Sequence, residues 1–171
     1  MDLIEPETGR RLECLLRRRA ALPGGRVRAL LTPLDAAVTM LRSDPEGEFT
    51  SPDDDECTAA FADAAEAALS QRGLLLKQTP FCLTLRGALA YNEADVITLQ
   101  EDSGEDSHGI EICTFDTRDG GMYLLYSAVD PLVMLAQPSS NEDGASSYSL
   151  SAHRSAAPGV MMRRLGVLLP G

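Results

Sequence analysis

Hydrophobic positions, many of them β-branched, cluster into short runs along two stretches of this chain, the composition of strands. The first stretch predicts strands near residues 2–5, 11–17, 26–32 and 37–42. The second predicts them near 95–100, 109–116, 121–127 and 132–137. Gly, Asp, Asn and Pro punctuate both, as strand boundaries require. The two stretches also repeat each other. "LLTPLDAAVTML" (30–41) and "LLYSAVDPLVMLA" (124–136) run in register when Asp35 is set on Asp130. Leu30 then meets Leu125, Leu34 meets Val129 and Val38 meets Val133. Upstream, each copy has a strand ending in cysteine (Cys14, Cys113) and a polar tip with a Gly-Gly pair. The offset is 99 at the cysteines and 95 at the aspartates, which predicts a first tip four residues longer. Asp119-Gly120-Gly121 is the strongest hairpin signal, because turn positions with φ > 0 favour Gly and Asp. Each copy is expected to form a four-stranded antiparallel meander, and the two are expected to pair or stack to cover their edges.

Between the copies the pattern changes. "SPDDDECTAAFADAAEAALSQRG" predicts a helix over about 52–72. Ser51 is the expected N-cap, Pro52 suits the first turn, and Gly73 suits the left-handed position after the last turn. Cys57, Phe61, Ala64, Ala68 and Leu69 share one face, whose alanines permit close approach to a sheet. "LLLKQTPFCLTLRGAL" comes next as an extended strand broken at Pro80. Residues 138–146 predict a loop, and the final segment a short helix or a docked apolar tail. The expected fold class is α+β, mainly antiparallel β, with two β meanders bracketing a helix–strand unit. Its segments are a first β module (1–42), the helix and extended strand (43–94), a second β module (95–137), and a loop and tail (138–171).

Composition adds a compartment and a charge pattern. A chain of 171 residues buries about 70% of its unfolded surface, so its core needs no disulfide or metal. Cys14, Cys57, Cys82 and Cys113 form no C-x-x-C pair and predict small buried hydrophobes in a reducing compartment. No apolar run approaches ~18 residues and no secretory pattern opens the chain, so no membrane span or signal is expected. The net charge of −11 is polarised. Residues 1–42 hold eight Arg against five acidic residues, whereas 43–151 hold four basic against 21 acidic. An acidic middle repels phosphate, so nucleic acid is disfavoured as the main partner, and a cationic protein surface suits it better.

Candidate chemistry is sparse. Asp53, Asp54, Asp55 and Glu56 are a cation-ligand type, but they lack EF-hand spacing and fit the positive end of a helix dipole. Asp35 and Asp130 predict turn-closing carboxylates that bond backbone N–H groups. His108 and His153 have no nucleophile motif beside them. There is no Walker loop, no G-x-G-x-x-G and no H-E-x-x-H. No catalytic, cofactor or metal residue is therefore assigned. Arg17, Arg18 and Arg19 are the sharpest basic spot, expected at the first hairpin tip as a candidate partner-binding anchor for an acidic protein or a phosphate.

The ordered set "LLLKQTPFCLTLRGAL", "VITLQEDSGED", "GIEICTF" and "MYLLYSAVDPLVMLAQ" resembles an uncharacterised family of small acidic proteins from cyanobacteria, algae and plant chloroplasts. Its β modules are similar to the YrzB-like domain, whose pattern ends in Y-x-L-L-x-P-L-D. The resemblance covers roughly residues 8–137, with Arg28 in place of the pattern's Tyr in the first copy and Ala128 in place of its Pro in the second. It implies a domain of unknown function in the chloroplast stroma, or in the cytoplasm of a cyanobacterium, and it supplies no catalytic residues. The functional expectation is a non-enzymatic protein-binding or assembly protein, its partner another protein or a larger plastid complex. The alternatives are a small-ligand sensor or enzyme with a cleft between the β modules, and a nucleic-acid-associated protein acting through the Arg-rich first module.

Overall fold

The two apolar stretches form strands close to where the pattern puts them, but the strands do not stay within their own stretch. A computed structural model describes residues 1–92, 95–101, 104–118, 120–139, 147–150 and 161–165. The first stretch gives β1 (Asp2–Ile4), β2 (Arg11–Ala21), β3 (Val27–Pro33) and β4 (Ala36–Ser43), followed by β5 (Glu48–Thr50). Then come α1 (Asp54–Arg72), β6 (Leu75–Gln78) and β7 (Leu83–Arg86). The second stretch gives β8 (Val96–Glu101), β9 (Asp106–Asp116), β10 (Met122–Ala128) and β11 (Met134–Ser139), followed by β12 (Ser147–Leu150) and β13 (Met161–Leu165). The protein is mainly antiparallel β, with one helix among the described residues.

The expected four-stranded meanders do not form. β1–β2–β3 and β8–β9–β10 pair in sequence order, but each fourth strand crosses to the other set. β4 pairs with β10, and β11 pairs with β3. The links explain why. Leu34–Asp35 joins β3 to β4, and among the described residues only glycines have positive φ, so this link cannot make the type I′ turn of a two-residue hairpin. Pro33 ends β3 and Pro131 lies in the 129–133 link, and neither can donate to a ladder.

Two closed strand systems result. The first barrel is β2–β3–β11–β12–β1, sealed by the parallel pair β1–β12, in which Leu3 lies opposite Tyr148. Leu3, Leu12, Leu31, Ala136 and Tyr148 fill it. In the second, ladders run β10–β9–β8–β13–β5–β4 and return from β4 to β10. Leu41, Phe49, Ile97, Leu99, Leu124 and Tyr126 form its interior cluster. Its outer face is covered as well. Ala60, Ala64, Ala67 and Ala68 of α1 pack there with Val38, Met40, Ile112, Tyr123 and Leu125. That double burial is why β10 reads as a continuous apolar run.

The two sets correspond position by position. β2 and β9 are each 11 residues long, and β3 and β10 each seven, with starts 95 residues apart. Loops 22–26 and 117–121 close alike: the Leu22 N–H donates to the Arg26 carbonyl at 2.7 Å, and the Thr117 N–H to the Gly121 carbonyl at 2.8 Å. Gly25 and Gly120 both take positive φ in these loops, 74° and 85°. Each ladder shifts register at the same place, opposite Leu30/Leu31 in one and Leu125/Tyr126 in the other. The first tip is therefore not four residues longer, and Cys14 corresponds to Gly109 rather than to Cys113. Two cysteines in similar strands suggest an alignment that the backbone ladders overrule.

The segment between the sets also differs from expectation. Asp53, not Ser51, caps α1: its side chain accepts from the Glu56 N–H at 2.8 Å while Glu56 accepts from the Asp53 N–H at 3.2 Å. Gly73 takes the left-handed position, φ 67°. Leu69, expected on the buried face, is 57% exposed. The expected extended strand is an antiparallel hairpin, β6–β7, because the break at Pro80 is the turn itself. Ser139 extends β11 into the expected loop, and residues 140–146 lie outside the described ones. β13 is a strand where a helix or an apolar tail was expected. No helix among the described residues is long and apolar enough to cross a membrane.

Candidate functional site

Asp35 sits in the first crossing link, where the β6–β7 hairpin brings two cations to it. Lys77 Nζ lies 3.5 Å and Arg86 Nε 3.3 Å from Asp35 Oδ2, and Arg86 Nη2 lies 3.3 Å from Glu13 Oε2. These groups line an open cleft of ≈ 630 Å³ with Arg11, Phe61 and Thr84. Asp35 thus holds ion pairs in addition to any turn role. Asp130 is exposed on the other link and does not line this cleft. The cleft's charges largely satisfy one another, and exposed ion pairs of this kind contribute about 0–1 kcal/mol each. Thr84 Oγ1 is buried with no hydrogen-bond partner among the described residues. A second open cleft, ≈ 490 Å³, lies along α1 between Asp55, Asp63, Arg118 and Tyr123.

The arginine triplet is not at a tip. Arg17 to Arg19 lie inside β2, at the register shift. A bulge re-aims the side chains on either side of it. Arg17 Nε donates to Thr32 Oγ1 at 2.9 Å. Arg19 donates to the Tyr148 hydroxyl, Nε at 2.9 Å, with its guanidinium 5.7 Å from the ring centroid. Arg18 lies opposite Leu30 in the ladder and is exposed. So the structure disperses the triplet: two of its members brace the first barrel, and one stands at the edge of that barrel's outer face.

The other polar candidates are likewise tied into structure. Asp53 to Glu56 begin α1, and no cluster of His, Cys, Asp or Glu with metal-site geometry occurs among the described residues. His108 Nδ1 is 3.0 Å from Thr98 Oγ1 across the β8–β9 ladder. His153 lies outside the described residues. The cysteines are free thiols. Burial, with the Cys82 thiol second, pushes Cys14 up from 9.0 to about 11. Burial also pushes Cys113 to about 11, against the opposing pull of Arg72. Burial raises Cys57 and Cys82 too. Thiols held protonated near neutrality are poor nucleophiles.

One surface remains. On the first barrel, Leu15, Leu30, Val133 and Leu135 are exposed at 43%, 36%, 52% and 49%. Leu30 and Leu135 are direct partners across the β3–β11 ladder. The matching positions on the second barrel are Leu125 and Met40, direct partners across β10–β4. Those two, and Val38 at the position of Val133, are buried beneath α1 and the β6–β7 hairpin. Hydrophobic patterning carries no signal for this contrast, since all three positions are apolar in both copies. The repeat itself is the available clue, because among the described residues only the first copy leads into a helix.

No curated protein and no solved structure matches the chain. Residues 73–147, from the end of α1 to the start of β12, match the model of a family described as a protein of unknown function (DUF3727). The chain is thus similar, over that segment, to a family of unknown function.

Proposed function

We propose that this protein is a non-enzymatic binding or assembly protein that holds another protein against the outer face of its first barrel. One observation carries the reading: Leu30, Val133 and Leu135 are exposed where their counterparts Leu125, Val38 and Met40 are buried. Contiguous exposed apolar side chains mark interaction surfaces. The matched ladders support a duplicated β unit with one face of the pair covered and the other open. The resemblance to chloroplast and cyanobacterial proteins supports work in the stroma, or in the cytoplasm of a cyanobacterium. The nucleic-acid alternative has weak support, because Arg17 and Arg19 are engaged within the barrel.

Affinity purification of the full chain from the organelle fraction tests this. Wild type is expected to bring down one stoichiometric protein, and Leu30→Glu with Leu135→Glu to lose it. A free monomer in both cases would end the proposal. The Asp35 cleft favours a second reading, a small-ligand sensor, since it lies between the first barrel and the β6–β7 hairpin. A metabolite library screened by thermal shift addresses it: a saturable stabilisation lost in Asp35→Asn would support it, and no hit would remove it.

A further inference from the structure

We infer that the occupant of the open face is a helix of the partner protein, small and apolar on the contacting side and acidic along its flank, docked as α1 docks on the second barrel. This deepens the binding reading above and rests on it.

The shape of the face is the first reason. The ladders beneath the two faces share their register: Leu30 opposes Leu135 as Leu125 opposes Met40, and Leu31 opposes Met134 as Tyr126 opposes Thr39. Two surfaces built on the same ladder and the same bulge present similar curvature. On the second barrel that curvature accepts a helix through Ala60, Ala64, Ala67 and Ala68, side chains short enough to let the backbone approach closely.

The bulge is the second reason. Arg72 in the last turn of α1 donates to the Ile112 carbonyl at 2.9 Å and the Glu111 carbonyl at 3.1 Å, and Gln71 donates to the Thr114 carbonyl at 3.1 Å. A helix C-terminus carrying donors thus locks onto the irregular part of β9. In β2 the corresponding residues are Leu16, Arg17 and Arg19, at a bulge of the same register.

Charge separates the two faces and selects the partner. Cys113 and Tyr123 of the covered face correspond to Arg18 and Arg28 of the open one. Two guanidinium groups at the rim of an apolar strip favour carboxylates on whatever covers it. The partner helix therefore differs from a neutral one by acidic residues beside its small face.

The test places the photo-crosslinking residue p-benzoylphenylalanine at Val133 or at Leu135 of the full chain, irradiates the organelle fraction, and sequences the linked peptides. The expected result is another protein linked through one segment, at sites three, four or seven residues apart, with Asp or Glu nearby. The links should fall at least tenfold in Leu30→Glu, whose melting temperature stays at the wild-type value because the side chain is exposed. Links at alternate residues would identify a strand and overturn the helix while leaving the binding reading standing. Links only to a second copy, or only to this chain's own C-terminal residues, would overturn both. Arg18→Glu should weaken a helix with an acidic flank, and an unchanged yield would remove the acidic requirement.

Discussion

Leu125 and Leu30 hold the same place in two ladders of the same register, yet Leu125 is 0% exposed and Leu30 36%. The difference comes from the segment that succeeds each fourth strand in the chain. After β4 and the short β5 the polypeptide makes α1 and the β6–β7 hairpin, which fold over β9 and β10 and beside β4. After β11 no comparable helix occurs among the described residues. A face left bare in one barrel is core in the other. Two nearly equal surfaces thus teach that covering, not sequence pattern, decides which leucine stabilises the fold.

The sharpest way to break this comparison is to truncate both leucines. Leu125→Ala should cost about 3 kcal/mol in urea denaturation, the usual range for a buried leucine. Leu30→Ala should change stability by less than about 0.5 kcal/mol, as exposed substitutions do. Equal effects would mean that the first face is covered in the isolated protein.

Gly109 and Cys14 make the next contrast. A Cβ at Gly109 would lie 2.4 Å from Tyr126 Cζ and 2.5 Å from the Ser127 carbonyl oxygen. Gly109→Ala should therefore cost about 2 kcal/mol through overpacking. The corresponding first-barrel position already carries a side chain, and Cys14→Ala should cost no more than about 1 kcal/mol, close to one buried methylene-sized group. Calorimetry of both variants checks the pair.

The covering helix has its own test. Asp53→Ala removes the capping box and should cost about 1 kcal/mol, whereas Ser51→Ala should be silent. If the two exchange roles, the helix begins earlier than Asp54.

The smallest effect is a pH dependence shared by the barrels. Cys14 and Cys113 have folded-state pKa values raised from 9.0 to about 11. Above pH 9 the unfolded chain loses these protons before the folded one does. Their contribution is thus complete below pH 9 and is lost as pH rises through about 11. Cys14→Ala combined with Cys113→Ala should flatten the decline seen by urea titration between pH 9 and 11, and an unchanged slope would exclude the thiols as its source.

Strand positions were legible because their signal is local: each apolar, β-branched run is bounded by Gly, Asp, Asn or Pro within a few residues. Partner choice was not, because it depends on whether Leu34–Asp35 can turn back, and that is decided by φ angles and by Pro33 rather than by hydrophobicity. The helix cap was legible but misread. Ser51 and Asp53 are both good caps, and only Asp53 has a glutamate three residues on. The cleft at Asp35 was not legible because its cations, Lys77 and Arg86, come from a hairpin that reads as one strand around Pro80. The arginine triplet looked like a single patch because a bulge leaves no mark in composition, yet it sends Arg17, Arg18 and Arg19 to three different surroundings.

The strand exchange also has a consequence for how the protein is made. Synthesis runs from the N-terminus, and β1, β2 and β3 leave the ribosome about a hundred residues before β11, the strand they need. β4 must likewise wait for β10. The first barrel cannot close until the second half of the chain has emerged, so its apolar ladder edge stands open throughout elongation. Long-range pairing of this kind is slow and exposes edges to aggregation. Nascent chains stalled before residue 134 should accordingly recruit a ribosome-associated chaperone, and chains released past residue 165, with β13 also in place, should not.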